Sequence, residues 1–126
     1  MSQKPSSIAQ RFHGAWRLVS PSSDGMLYYD PSGHMIVQSA PRRETPRAGA
    51  KPTAQEALAA LDGHVAYLGT YTIDETAGTV THHQVATVQP GAKVGLVRAY
   101  EFQSDNRLIL RPVGGVGEIV WERLSS

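Results

Sequence analysis

The stretch from Thr79 to Phe102 restricts the fold of this chain more than any other. It holds two alternating runs, Thr-Val-Thr-His-His-Gln-Val-Ala-Thr-Val and Leu-Val-Arg-Ala-Tyr-Glu-Phe, joined by Gln-Pro-Gly-Ala-Lys-Val-Gly. Alternation on both sides of a Pro/Gly-containing connection is the pattern of a β-hairpin with a longer loop. Successive strand side chains point to opposite faces. Leu96, Arg98, Tyr100 and Phe102 therefore share one face, and Val97, Ala99, Glu101 and Gln103 the other. An arginine on a mostly apolar face is either an outward misfit or a polar group set inside a pocket.

The same signal recurs along the chain. Gly14–Ser20, Met26–Asp30 and His34–Ser39 read as three strands, with Asp30-Pro31-Ser32-Gly33 as the turn between the last two. Tyr67–Ile73 alternates and turns through Asp74–Gly78 into the hairpin above. Arg107–Pro112 and Val116–Leu124 complete about eight strands. Two short helices are predicted. Ile8 and Phe12 lie four apart after Ser6-Ser7, which would cap a helix over Ile8–Phe12. Thr53 and Glu56 match a capping box, and Ala54, Ala57, Leu58 and Leu61 fall on one face before Gly63 ends the helix. The segment between Ala40 and Lys51 is rich in arginine and proline and reads as an exposed loop. Consecutive strands joined by tight turns make an antiparallel meander, and closing it removes exposed edges. The predicted fold is all-β: an up-and-down barrel of about eight strands over residues 1–126, with a short N-terminal helix and one helix after the third strand. Eight strands enclose room for side chains or for one small ligand. The helix after the third strand, with one apolar face, is expected to lid one end.

Composition removes several function classes. The 126 residues suffice for one domain with a core. A net charge of +1 provides no general attraction for nucleic acid or anionic membrane. Pro41–Arg47 is basic but short, and reads as a solvated loop. With no cysteine there is no disulfide, thiol nucleophile or thiolate-bound metal, which suits a reducing cytoplasm. No signal peptide or membrane span is predicted. No nucleophile elbow, phosphate loop or dinucleotide fingerprint is present, so no cofactor is expected. Gly114–Gly117 reads as a bend.

Taken in order, several short motifs resemble the bacterial and fungal lipocalin-like domain proteins. They are Gly14–Ser20, Tyr29 with Pro31–Met35, Tyr67 with Gly69-Thr70-Tyr71, Val80–His83, Arg98-Ala99-Tyr100, Leu108–Leu110 and Trp121-Glu122-Arg123. True lipocalins are longer and often secreted with disulfides, and this chain departs on both counts. The resemblance implies a small barrel with an internal pocket. It also implies an arginine of the last strand, Arg123, covering Trp16 as a structural pair.

His82 and His83 are adjacent on a strand, so one should face inward and one outward. Periodicity leaves the choice open, because Val80 and Ala86 accompany His82 while Thr81 and Val85 accompany His83; the resemblance favours His82 inward. An inward histidine is either a hydrogen-bonded structural group, a ligand or catalytic contact, or a metal ligand with His34 and His64, which no spacing requires. Arg98, if inward, needs a carboxylate such as Asp30 or Glu118, carbonyls, or an anionic ligand. Tyr29, Tyr71 and Tyr100 carry hydroxyls on core-sized rings. Gln38 and Gln84 are weaker candidates of the same kind. His82, Arg98 and Tyr100 are thus the candidate catalytic residues; Tyr29, Gln38, Tyr71, His83, Gln84 and Phe102 are candidate ligand contacts; no metal ligand is assigned. Three readings follow. The barrel binds a small, largely apolar, oxygen-bearing molecule. Or it is a cofactor-independent isomerase, dehydratase, cyclase or lyase, with His82 as general acid or base and Arg98 and a tyrosine stabilising an oxyanion. Or it is a filled assembly module. The expected partner is a small hydrophobic molecule, with homodimerisation left open.

Overall fold

The computed structural model describes residues 7–124. Helix α1 (Ser7–Phe12) precedes strands β1 (Gly14–Val19), β2 (Ser23–Tyr29) and β3 (His34–Pro41). Helix α2 (Ala54–Leu61) follows, then β4 (Val65–Asp74), β5 (Thr79–Thr87), β6 (Gly95–Ser104), β7 (Arg107–Pro112) and β8 (Ile119–Arg123). Each strand pairs antiparallel with the next, and β8 returns to β1, so the sheet closes into an eight-stranded up-and-down barrel. This is the architecture the alternation predicts. Among the described residues no helix is long and apolar enough to cross a membrane.

Several boundaries differ from the sequence reading. Strand β2 begins at Ser23, not at Met26. Gly25 makes this possible, because a Cβ there would lie 2.8 Å from the Ser39 Cβ and 3.0 Å from the Gln38 carbonyl oxygen. The last strand begins at Ile119, not Val116, because Gly114 and Gly117 adopt positive φ values that break the extended chain. Ser6 of the predicted cap lies outside the described residues.

One end of the barrel is packed solid. Phe12, at the end of α1, inserts edge-on against Tyr29, Tyr100 and Phe102, at centroid distances of 5.3, 5.1 and 4.9 Å. Trp16 lies beside them, and its Nε1–H donates to the Phe12 carbonyl at 2.9 Å. Trp16 and Arg123 are cross-strand partners, and the guanidinium lies 4.2 Å from the indole. The same guanidinium donates to the His13 and Arg11 carbonyls, both at 2.6 Å. One side chain thus covers the tryptophan and satisfies carbonyls at the end of α1, which holds the helix across the barrel's base.

Helix α2 has the predicted capping box: the Glu56 amide donates to Thr53 Oγ1 at 3.1 Å, and the Thr53 amide to Glu56 Oε1 at 2.8 Å. It is not a lid. None of its residues is buried, and Leu58 is 70% exposed. Arg43 ties it down by donating to the Ala59 and Asp62 carbonyls, and no residue of α2 lines the barrel's cavity.

Candidate functional site

The opposite half of the barrel is hollow. A cavity of about 570 Å³ opens between the β1–β2, β3–β4, β5–β6 and β7–β8 connections, within the size range of small-molecule sites. Its walls are mainly aliphatic, including Leu18, Leu27, Val37, Leu96, Leu110 and Val120. Serines and Gln89 lie around the strand ends at its rim.

A histidine lies where the hollow half meets the packed half. His82 is 3% exposed, the one buried polar or charged residue among those described. Its Nε2 is 2.6 Å from the Tyr29 hydroxyl and its Nδ1 is 2.7 Å from the Tyr67 hydroxyl. Burial, then the charges of Arg98 and His83, lower its pKa from 6.5 to about 4. The imidazole is therefore neutral near pH 7. Burial pushes Tyr67 up to about 12 despite the opposing pull of Arg98. Tyr29 is raised well above the ordinary tyrosine value, chiefly by burial. Both tyrosines are phenols, not phenolates, at neutral pH.

A β-bulge explains why the histidine pair is ambiguous in sequence. Leu68 pairs with Ala86 while Gly69 pairs with Gln84, so Val85 is an extra residue. Before the bulge Val80, His82 and Gln84 face inward; after it the inward residue is Thr87, opposite Tyr67. No single period fits the strand. Gly69 permits the bulge, since a Cβ there would lie 1.8 Å from the His83 carbonyl oxygen.

Arg98 lines the cavity as the β6 alternation predicts. Neither proposed carboxylate partner reaches it. Glu118 accepts from Arg111 at 3.0 Å, and Asp30 accepts from the Ser32 amide and from Tyr28 in the β2–β3 turn. The hydrogen bond recorded for Arg98 is a 3.5 Å contact to the Val97 carbonyl.

The remaining candidates separate. Gln84 lines the cavity, and its Oε1 accepts from the Val94 amide. Tyr29 reaches the site through His82 and is not itself cavity wall. Tyr100 and Phe102 pack on Phe12 in the solid half. Tyr71 packs on Tyr29 and donates to the Asp30 carbonyl at 2.8 Å. His83 is exposed and 2.9 Å from Thr72 Oγ1; Gln38 is exposed and 3.0 Å from His64 Nε2. His34 faces out toward Ser32. Among the described residues no three His, Asp or Glu side chains are grouped to hold a metal. Tyr67 and Trp121 are wall residues that the candidate list lacks. For Tyr67 a signal existed, since it shares the alternation of Tyr71.

The lipocalin-like domain family profile matches residues 13–123, from the residue before β1 to the end of β8. No curated protein and no solved structure gives a significant match. The match spans every strand of the closed barrel and the Trp16–Arg123 closure, and the chain belongs to the lipocalin-like domain family.

Proposed function

We propose that this barrel binds a small, largely apolar molecule bearing an oxygen function, received in the open half with its polar end toward Tyr67 and Arg98. The observation that carries this reading is the division of the interior. Aromatic rings pack together in one half, while the other is left as a cavity of about 570 Å³ with mainly aliphatic walls. Water in such a space gains little from its walls, so an apolar guest is favoured at about 25 cal/mol per Å² of apolar surface covered.

Binding stands ahead of catalysis by His82 for a geometric reason. A general base must present a free nitrogen to its substrate. Both nitrogens of His82 already lie within 2.7 Å of tyrosine hydroxyls, and its lowered pKa makes it a weak base. His82 borders the cavity beside Tyr67, but a guest there meets an imidazole whose two nitrogens are already engaged.

The test is titration with a neutral, polarity-sensitive dye, N-phenyl-1-naphthylamine, against wild type and Val37→Trp. Saturable fluorescence enhancement in wild type, lost in a folded Val37→Trp protein, supports the reading. Absence of enhancement in wild type, or enhancement that survives the filling substitution, overturns it.

A further inference from the structure

We infer that the guest carries an anionic oxygen with no proton to give, as a carboxylate, enolate or phenolate does, and that Tyr29 acts through His82 to make Tyr67 a donor to it alongside Arg98. This rests on the binding reading above and narrows it to a ligand class.

Proton accounting supports the inference. A neutral imidazole has one N–H and one bare nitrogen. Tyr29 is fully buried, and His82 Nε2 is the partner of its hydroxyl. Were Nε2 protonated, the Tyr29 hydroxyl would accept and its own proton would be buried without an acceptor, an arrangement that native interiors avoid. Tyr29 therefore donates to Nε2, and the imidazole proton resides on Nδ1. Nδ1–H then donates to the Tyr67 hydroxyl at 2.7 Å. The proton of Tyr67 is left over, and Tyr67 is cavity wall. It becomes a donor available to a guest. Tyr29, which is not cavity wall, is a positioning residue that sets the polarity of this hydroxyl through His82.

The other deep polar groups have the same sign. Arg98 lines the cavity with no carboxylate within 4 Å among the described residues. The wall's carboxylate, Glu118, is held by Arg111 at 3.0 Å. Deep in the cavity the polar groups thus offered are a guanidinium and a phenol proton, whereas the carboxylate, the serines and Gln89 lie around the strand ends at its rim. An amine finds no acceptor beside Arg98 and the Tyr67 hydroxyl. An alcohol leaves its own proton unplaced. An anionic oxygen matches the charge of the guanidinium and accepts the proton of the phenol.

The test uses two fluorescent probes of one shape, dansylaminoundecanoate and its carboxamide. In wild type the carboxylate should bind at least tenfold more tightly, and Arg98→Gln should erase that preference while carboxamide affinity holds. Equal affinities in wild type, or a preference unchanged in Arg98→Gln, overturn the inference and leave the binding reading intact. Binding of neither probe overturns both. A second measurement is independent of affinity. Long-range ¹H–¹⁵N NMR should show His82 as the Nδ1–H tautomer in wild type, moving toward Nε2–H in Tyr29→Phe. His82 found as Nε2–H in wild type overturns the tautomer argument.

Discussion

Burial of His82 should leave a measurable mark on stability. The unfolded chain takes up a proton on this residue around pH 6.5, while the folded protein does so only near pH 4. Between these values the unfolded state binds more protons, so the stability of the fold rises with pH across that window. The contribution is fully present above about pH 6.5, falls as pH drops toward 4, and changes no further below it. The gap corresponds to about 3 kcal/mol at about 1.36 kcal/mol per pH unit. Against a typical total of about 5–15 kcal/mol this is a large share. The perturbation is His82→Gln, which keeps a polar side chain but cannot titrate. Urea unfolding of both proteins at pH 7.5, 5.5 and 4.0 isolates the residue, because the remaining histidines and carboxylates contribute equally to each. Wild type should lose about 3 kcal/mol more than His82→Gln between pH 7.5 and 4.0, a relative midpoint shift of about 1–2 M urea. A lower starting stability of the variant leaves this comparison unchanged, since the slope is what is compared. Parallel pH profiles, agreeing within about 0.5 kcal/mol, would refute the claim that this imidazole is held neutral by burial.

Two further substitutions test the barrel around the site. Gly69→Ala drives a Cβ to 1.8 Å from the His83 carbonyl oxygen, so β5 must retreat or lose its bulge; the expected cost is about 3 kcal/mol and a melting midpoint lowered by roughly 10 °C, read by circular dichroism. Arg123→Met removes two 2.6 Å hydrogen bonds to carbonyls near the end of α1 and the stacking on Trp16; a loss of about 2–4 kcal/mol is expected in urea unfolding, with dye affinity retained because the cavity is at the other end. Leu58→Glu on the exposed face of α2 should change stability by less than about 0.5 kcal/mol, since the side chain is 70% exposed and covers nothing.

The alternation of short strands between turn clusters was sufficient to predict a closed meander, because period-two patterning and turn chemistry are local properties. The inward face of β6 was legible for the same reason, and Arg98 was found on it. Position along the barrel axis was not legible. Arg98, Tyr100 and Phe102 share one face, yet only Arg98 borders the cavity, and the other two lie in the aromatic plug. Alternation says which way a side chain points and nothing about its height, which depends on strand stagger around the whole barrel. The bulge at Val85 was hidden similarly. Its cause is Gly69 on the neighbouring strand, so β5 read alone gives two conflicting phases. The helix α2 misled for another reason: an apolar stripe predicts burial, but Arg43 anchors this helix by its last carbonyls and leaves Leu58 in solvent.

A gradient of side-chain size creates the hollow. At the level of α1 the interior holds Phe12, Trp16, Tyr29, Tyr71 and Phe102, and ring meets ring with no space between. Toward the open end the inward positions include Val37, Ser39, Val65 and Ser23. A chain selected only to fill a barrel has no reason to change scale partway along its axis, because each unfilled volume forfeits dispersion contacts. Nor would it put a guanidinium with no carboxylate partner in the wall of the space so created. Small residues above and unmatched donors within are separate departures from stable packing, and one explanation covers both. A guest supplies the missing volume and the missing acceptor together, so the filled-module reading has to treat as two defects what the binding reading treats as one site.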